Sequence, residues 1–161
     1  MAKFHDNQTN TRRNALTKYP FNETDGFKAG RDVWFEMRGP KVAQAAMDQA
    51  AQNEMTRDLR QFLFEHCFAA AWARPGLERM TRSIITISVL QALGRTEELK
   101  SHIRMGMNNG LTREELKEIF LHVGVYAGVP TAVAAVRAAM EEFDAQDKSN
   151  ENKANENKAK E

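Results

Sequence analysis

Residues 77–94 read LERMTRSIITISVLQALG. Met80, Ile84, Ile85, Ile87 and Val89 spread around much of a helical circumference, with no alternation of the kind a half-buried strand would show. The length of the run and the stop at Gly94 predict one helix over 77–93. Its apolarity on several sides predicts a place at the centre of a bundle.

Working backwards, Arg74-Pro75-Gly76 breaks the chain before this helix. The preceding segment, with Thr56 as its expected N-cap, places Leu59, Phe62, Leu63, His66 and Ala70 on one stripe and ends near Ala73. A short helix is expected over 41–52, carrying Val42, Ala46 and Ala50. Another is expected over 25–38, with Phe27 and Trp34 seven apart and Gly39-Pro40 as its stop. Working forwards, Thr96 is the expected cap of a helix with Glu97 and Glu98 in its first turn, ending at Asn108-Asn109-Gly110. Thr112 and Glu115 have the spacing of a capping box, and Leu116, Ile119, Phe120 and Val123 follow at helical intervals. Gly124, Gly128 and Pro130 are expected to break that helix. Thr131 is the expected cap of a last one through Val133, Val136, Met140 and Phe143. The fold class is therefore all-α, a compact helical bundle with short connections.

The 161 residues fit one domain with a sizeable core. The expected organisation is a flexible N-terminal arm over 1–22, a helical domain over 23–145 and a disordered low-complexity tail over 146–161. The tail, rich in Lys, Glu and Asn, holds too few apolar side chains to offset its ordering entropy. Its Ala, Lys and Glu content is also compatible with an extended helix. A net charge of +1 gives no support for nucleic acid or a membrane surface as a partner. No apolar run approaches the length of a spanning helix, and the first residues lack a signal core. The expected location is cytoplasmic. The single cysteine, Cys67, excludes an internal disulfide and a thiol-rich metal site.

No phosphate loop, zinc spacing or nucleophile elbow is present, and neither metal nor cofactor is expected. The candidate groups are histidines on helices, a few arginines, Tyr126 and some carboxylates. His102 follows Leu99 by three residues, toward the apolar side of its helix. His122 sits at the edge of the Ile119–Val123 stripe, and Tyr126 shares that edge four residues on. Each histidine reads either as a packed, hydrogen-bonded residue or as a proton-transfer group. Their helices are consecutive, and the short turn between them predicts antiparallel neighbours. Arg74 and Arg82 flank the start of the 77–93 helix. They read either as capping and salt-bridging groups or as bidentate clamps for carboxylates. Cys67, on a helix rich in Phe and Ala, reads as a small core hydrophobe.

Four blocks carry a resemblance. ARPGLERMTRS over 73–83 resembles RPGL(D/E)RxTRS, and it continues through Ala92-Leu93-Gly94-Arg95 and Glu98-Leu99-Lys100-Ser101-His102. NNGLTREE over 108–115 resembles NNGVTREE, and LHVGVYAGVP over 121–130 is similar to the (L)(Q/H)xxxYxGxP element. By these blocks the chain is identified as a member of the carboxymuconolactone decarboxylase family. The resemblance implies the all-helical fold shared with AhpD-like proteins and a homotrimeric or homohexameric assembly. It also implies a cofactor-free carboxy-lyase that turns gamma-carboxymuconolactone, or a related carboxylated lactone, into an enol-lactone and carbon dioxide in aromatic catabolism. The unsaturated lactone accepts the departing electrons itself, so the protein has to hold carboxylates, polarise a carbonyl and deliver a proton. His102 and His122 are the expected proton-transfer and polarising groups, Tyr126 a supporting donor, and Arg74 and Arg82 the carboxylate holders. Many relatives carry an acidic residue at the position of Ala70, and Glu65 on the preceding turn is its expected substitute. Thiol-peroxidase relatives resemble a CxxCxxxH pattern. With its histidine on His102, Arg95 and Glu98 stand in the two cysteine positions, so a dithiol relay cannot operate. The alternatives are redox activity through Cys67 alone and a non-catalytic oligomeric binding protein.

Overall fold

The structure, a computed structural model, describes residues 18–158. The described residues form helices and turns, with no strand among them. The chain divides at Gly76–Leu77 into two compact units.

The first unit holds α1 (Asp25–Arg38), α2 (Pro40–Ala50), α3 (Glu54–Leu63) and a π-helical segment (Phe64–Trp72) that continues α3. Thr24 caps α1, its hydroxyl accepting from the Phe27 N–H at 3.0 Å. Gly39 ends α1 at φ 83°, and Pro40 opens α2. The cap of α3 is Asn53 rather than the expected Thr56. The Asn53 side chain accepts from the Met55 N–H at 2.9 Å, while the Thr56 hydroxyl donates to the Ala50 carbonyl at 2.8 Å.

The stripe expected to be core on this helix faces outward. Leu59 and Phe62 are exposed, and none of α3 is buried. The buried set is Phe64, Phe68 and Trp72. On an α-helix, positions four apart drift by roughly 40° per step, so a stripe of three would spiral off the core. The slower π winding keeps all three on one face. That face lies along α1, where Trp34 and Phe27 meet Phe64 with ring centres 5.3 Å apart in each case. The approach is close enough that a Cβ at Gly30 would lie 2.7 Å from the Phe64 carbonyl carbon, and nearer still to its oxygen. Part of the arm expected to be flexible is tied down. The Tyr19 N–H donates to Ala51 O at 2.9 Å, Asn22 exchanges two bonds with the Gln61 side chain, and Phe21 stacks on Phe27. Residues 1–17 lie outside the described residues.

The second unit holds α4 (Arg79–Ala92), α5 (Thr96–Asn108), α6 (Arg113–Ala127) and α7 (Val129–Lys158). Its core joins Ile87, Leu99, Ile103, Leu116, Phe120 and Ala135. α4 does reach this core, but along one arc only. Its buried positions are Ser83, Ile87 and Gln91, four apart, whereas Ile85, Val89 and Leu93 are exposed. The two buried polar residues serve as ties. Gln91 donates to the Phe120 carbonyl at 2.9 Å, and the Ser83 hydroxyl accepts from the Asn109 amide at 2.9 Å. Polar side chains thus occupy part of the inward arc, and much of the apolar circumference faces out.

The Thr112–Glu115 capping box is present with both of its bonds. Thr96 is the first residue of α5 and not its cap, a position held by Arg95 with no side-chain bond. Gly124 does not break α6. It lets α6 approach α7, since a Cβ there would stand 2.7 Å from that of Ala132. The break falls at Gly128, φ 97°, and α7 begins at once, with the Thr131 hydroxyl donating back to the Gly128 carbonyl at 2.8 Å. The stretch from 146 that was expected to be disordered is helical through Lys158. Its Ala, Lys, Glu and Gln content favours helix, and Arg113 anchors it by pairing with Asp147 and lying 4.5 Å from the Phe143 ring centre.

Candidate active site

α5 and α6 each pack along α4 and α7, not along each other. The neighbour relation expected from their short connection is therefore not the one formed. The four helices alternate so that the pair joined by residues 109–112 is separated by the other two. His102, on α5, is half-buried one residue before the fully buried Ile103. His122, on α6, is exposed, as the edge position beside Ile119 and Val123 predicts.

His122 is the histidine with a defined concave setting. It lines a depression of about 340 Å³ with Ile84, Ser88, Glu118, Ile119 and Val123. Tyr126 lies beside it, with the two ring centres 5.2 Å apart and the rings inclined by 52°. The pairing follows from the i, i+4 spacing along one helix face. The imidazole is able to exchange a proton near neutral pH, and the phenol is a donor at the same edge. Ser88 and Glu118 were not among the sequence candidates. The signal for them was present, since Glu118 precedes His122 by four residues and Ser88 follows Ile84 by four.

Arg82 stands at the start of α4, and its Nε–H donates to the Leu77 carbonyl at 3.1 Å, closing the turn that leads into the helix. Arg74 is exposed in the turn after the π segment. Glu65, in the first unit, accepts from the Thr24 hydroxyl and from the Gln61 amide, the latter at 2.8 Å. These bonds, Thr24's first, hold its carboxyl below the usual value of 4.5, with a smaller contribution from His66. Its carboxylate thus links the α1 cap to the π segment.

Cys67 is half-buried, and burial pushes its thiol above the usual 9.0. That is the reverse of the electropositive, exposed setting a reactive thiolate needs. Among the described residues, no three His, Cys, Asp or Glu side chains group for a metal ion, and no helix is long and apolar enough to cross a membrane.

The profile of the carboxymuconolactone decarboxylase family matches residues 57–141. A 4-carboxymuconolactone decarboxylase of Acinetobacter baylyi is 41% identical over 122 residues, which cover 76% of this chain and 90% of that protein. A nitrosuccinic acid decarboxylase of Metarhizium robertsii is 32% identical over 112 residues, or 70% of this chain and 74% of that protein. With the profile spanning more than half of its residues and a 41% identical relative matched over most of its length, the chain belongs to the carboxymuconolactone decarboxylase family and is a carboxy-lyase.

Proposed function

We propose that this decarboxylase acts on gamma-carboxymuconolactone or a closely related carboxylated lactone, releasing carbon dioxide and an enol-lactone in aromatic catabolism. The observation that carries this reading is the 41% identity to a 4-carboxymuconolactone decarboxylase over 90% of its length. The substrates in the two relatives' names share a chemical logic. Each is a carboxylated acid with an electron acceptor already attached, an unsaturated lactone in one and a nitro group in the other. Such a substrate needs no external electron sink, only placement and a proton.

The carbon–carboxylate bond breaks, carbon dioxide leaves, and the electron pair enters the lactone as a dienolate. The His122 imidazolium then returns one proton to carbon, with the Tyr126 hydroxyl stabilising the developing oxyanion. Arg82 holds a carboxylate by its remaining N–H donors. His102 is assigned to polarising the carbonyl and Arg74 to a second carboxylate, each on the strength of the sequence blocks alone. Glu65 is better assigned to holding the first unit together than to substrate.

A homotrimer or homohexamer is part of the same reading. Its support is the run of exposed apolar residues Val125, Val129, Val133 and Met140 at the α6–α7 junction and beyond. Sedimentation of the purified protein should give three or six chains, and a monomer at micromolar concentration would end that part.

The enzymatic test is carbon dioxide release from gamma-carboxymuconolactone. Turnover should be measurable with the wild type and fall by ~10²-fold or more in His122→Ala. No release from this or related carboxylated lactones would refute the substrate class.

A further inference from the structure

The first unit carries a second concentration of positive charge. The Arg38 and Arg60 guanidinium carbons lie 5.3 Å and 4.6 Å from the centre of the Trp34 ring. Arg60 is also 5.9 Å from the Phe64 ring centre. Trp34 is almost wholly buried, so both cations sit over an indole that anchors the core. Stacking of this kind holds a guanidinium by its face and leaves its in-plane N–H groups for an acceptor. Arg57, three residues before Arg60 and on the same side of α3, buries an Nε–H that meets no acceptor among the described residues. Burial and the like charge of Arg38 both push the Arg60 guanidinium below its ordinary value, and no acid among the described residues offsets them. Gathering these cations is unfavourable unless something negative joins them.

There is room for it. Arg60 opens on a cavity of about 260 Å³ between α2 and α3, lined also by Ala46, Gln49, Thr56, Leu59 and Leu63. The wall pairs one cation and an amide with aliphatic side chains, which suits a ligand with a charged head and an apolar body. We propose that Arg60, backed by Arg38 over Trp34, binds a small organic oxyanion, a carboxylate or a phosphate on an apolar body, in the α2–α3 cavity. This site uses none of the residues assigned to decarboxylation and stands or falls independently of that assignment.

The test is a titration of the full-length Trp72→Phe variant, in which Trp34 is the remaining tryptophan of the two. Sodium butyrate and butyl phosphate are added at constant ionic strength, with sodium chloride as the reference. A saturable change in Trp34 emission with either probe, beyond that of chloride, is expected. The probe that binds more tightly identifies the head group. Arg60→Met, which keeps the stem and removes the charge, should weaken binding by ~10-fold or more. Gln49→Glu places a negative charge on the wall at an exposed position and should also weaken it by several-fold, whether or not Arg60→Met folds. A response equal to that of chloride, or unchanged affinity in Gln49→Glu, would overturn the proposal.

Discussion

Replacing Gly30 by Ala should separate α1 from the π segment. The added Cβ would stand 2.7 Å from the carbonyl carbon of Phe64 and 2.9 Å from its Cα, with the oxygen nearer than either. Real Cβ contacts are not this short, and the obstacle is backbone, which has no rotamer to yield. The two helices must part by roughly an ångström, which loosens the Phe27, Trp34 and Phe64 ring contacts at 5.3 Å. Overpacking of a core costs about 1–3 kcal/mol, and backbone contact puts this case at the upper end. Alanine returns about 1 kcal/mol through helix propensity and a less flexible unfolded chain. The net loss is ~2 kcal/mol, or roughly 4–8 °C in Tm for a chain of this size. Both tryptophans, Trp34 and Trp72, belong to the first unit, so tryptophan emission during thermal unfolding follows the region concerned. Gly76→Ala is the matched control. Nothing lies within 4 Å of a Cβ there, and the change should stay within about 0.5 kcal/mol. A Gly30→Ala protein melting at or above the wild-type temperature would show that the close approach contributes nothing to stability.

Three further outcomes are expected. His122→Ala should lower kcat by ~10²-fold or more with little change in Tm, because the side chain is exposed, and Tyr126→Phe should cost less; full turnover in His122→Ala would move the proton transfer elsewhere. Cys67→Ser should decarboxylate normally, and the wild-type thiol should react with iodoacetamide at pH 7 more slowly than free cysteine, because burial raises its pKa; fast labelling would contradict that setting. The Glu65 carboxyl has a lower pKa folded than unfolded, so its contribution is full above about pH 4.5 and is lost as pH falls through the folded value. Urea midpoints measured from pH 6 down to 3 should therefore drop less steeply in Glu65→Gln than in wild type, and parallel curves would remove Glu65 from the account.

The helices of the second unit were legible because their punctuation is local. Thr112 and Glu115 announce a capping box within four residues, and Gly128 supplies the positive φ where α6 ends. The π segment was not legible. Its winding depends on which face α1 covers, and an α-helical period drawn through Leu59, Phe62 and His66 selects the wrong side. The separation of α5 from α6 was equally hidden, because a four-residue connection fixes order along the chain but not which helices share a flank. Of the candidate site, the His122–Tyr126 pairing could be read from spacing. Glu65 could not be placed, because its partner Thr24 is 41 positions away.

The winding of residues 64–72 has a consequence for how this chain tolerates insertions and deletions. One amino acid removed there would let the segment revert to the tighter coil, swinging Trp72 and the turn beyond it by about a quarter-revolution or more. A single-codon loss in this segment should be far more damaging than the same loss in the exposed turn at 74–76, although both shorten the chain by the same amount.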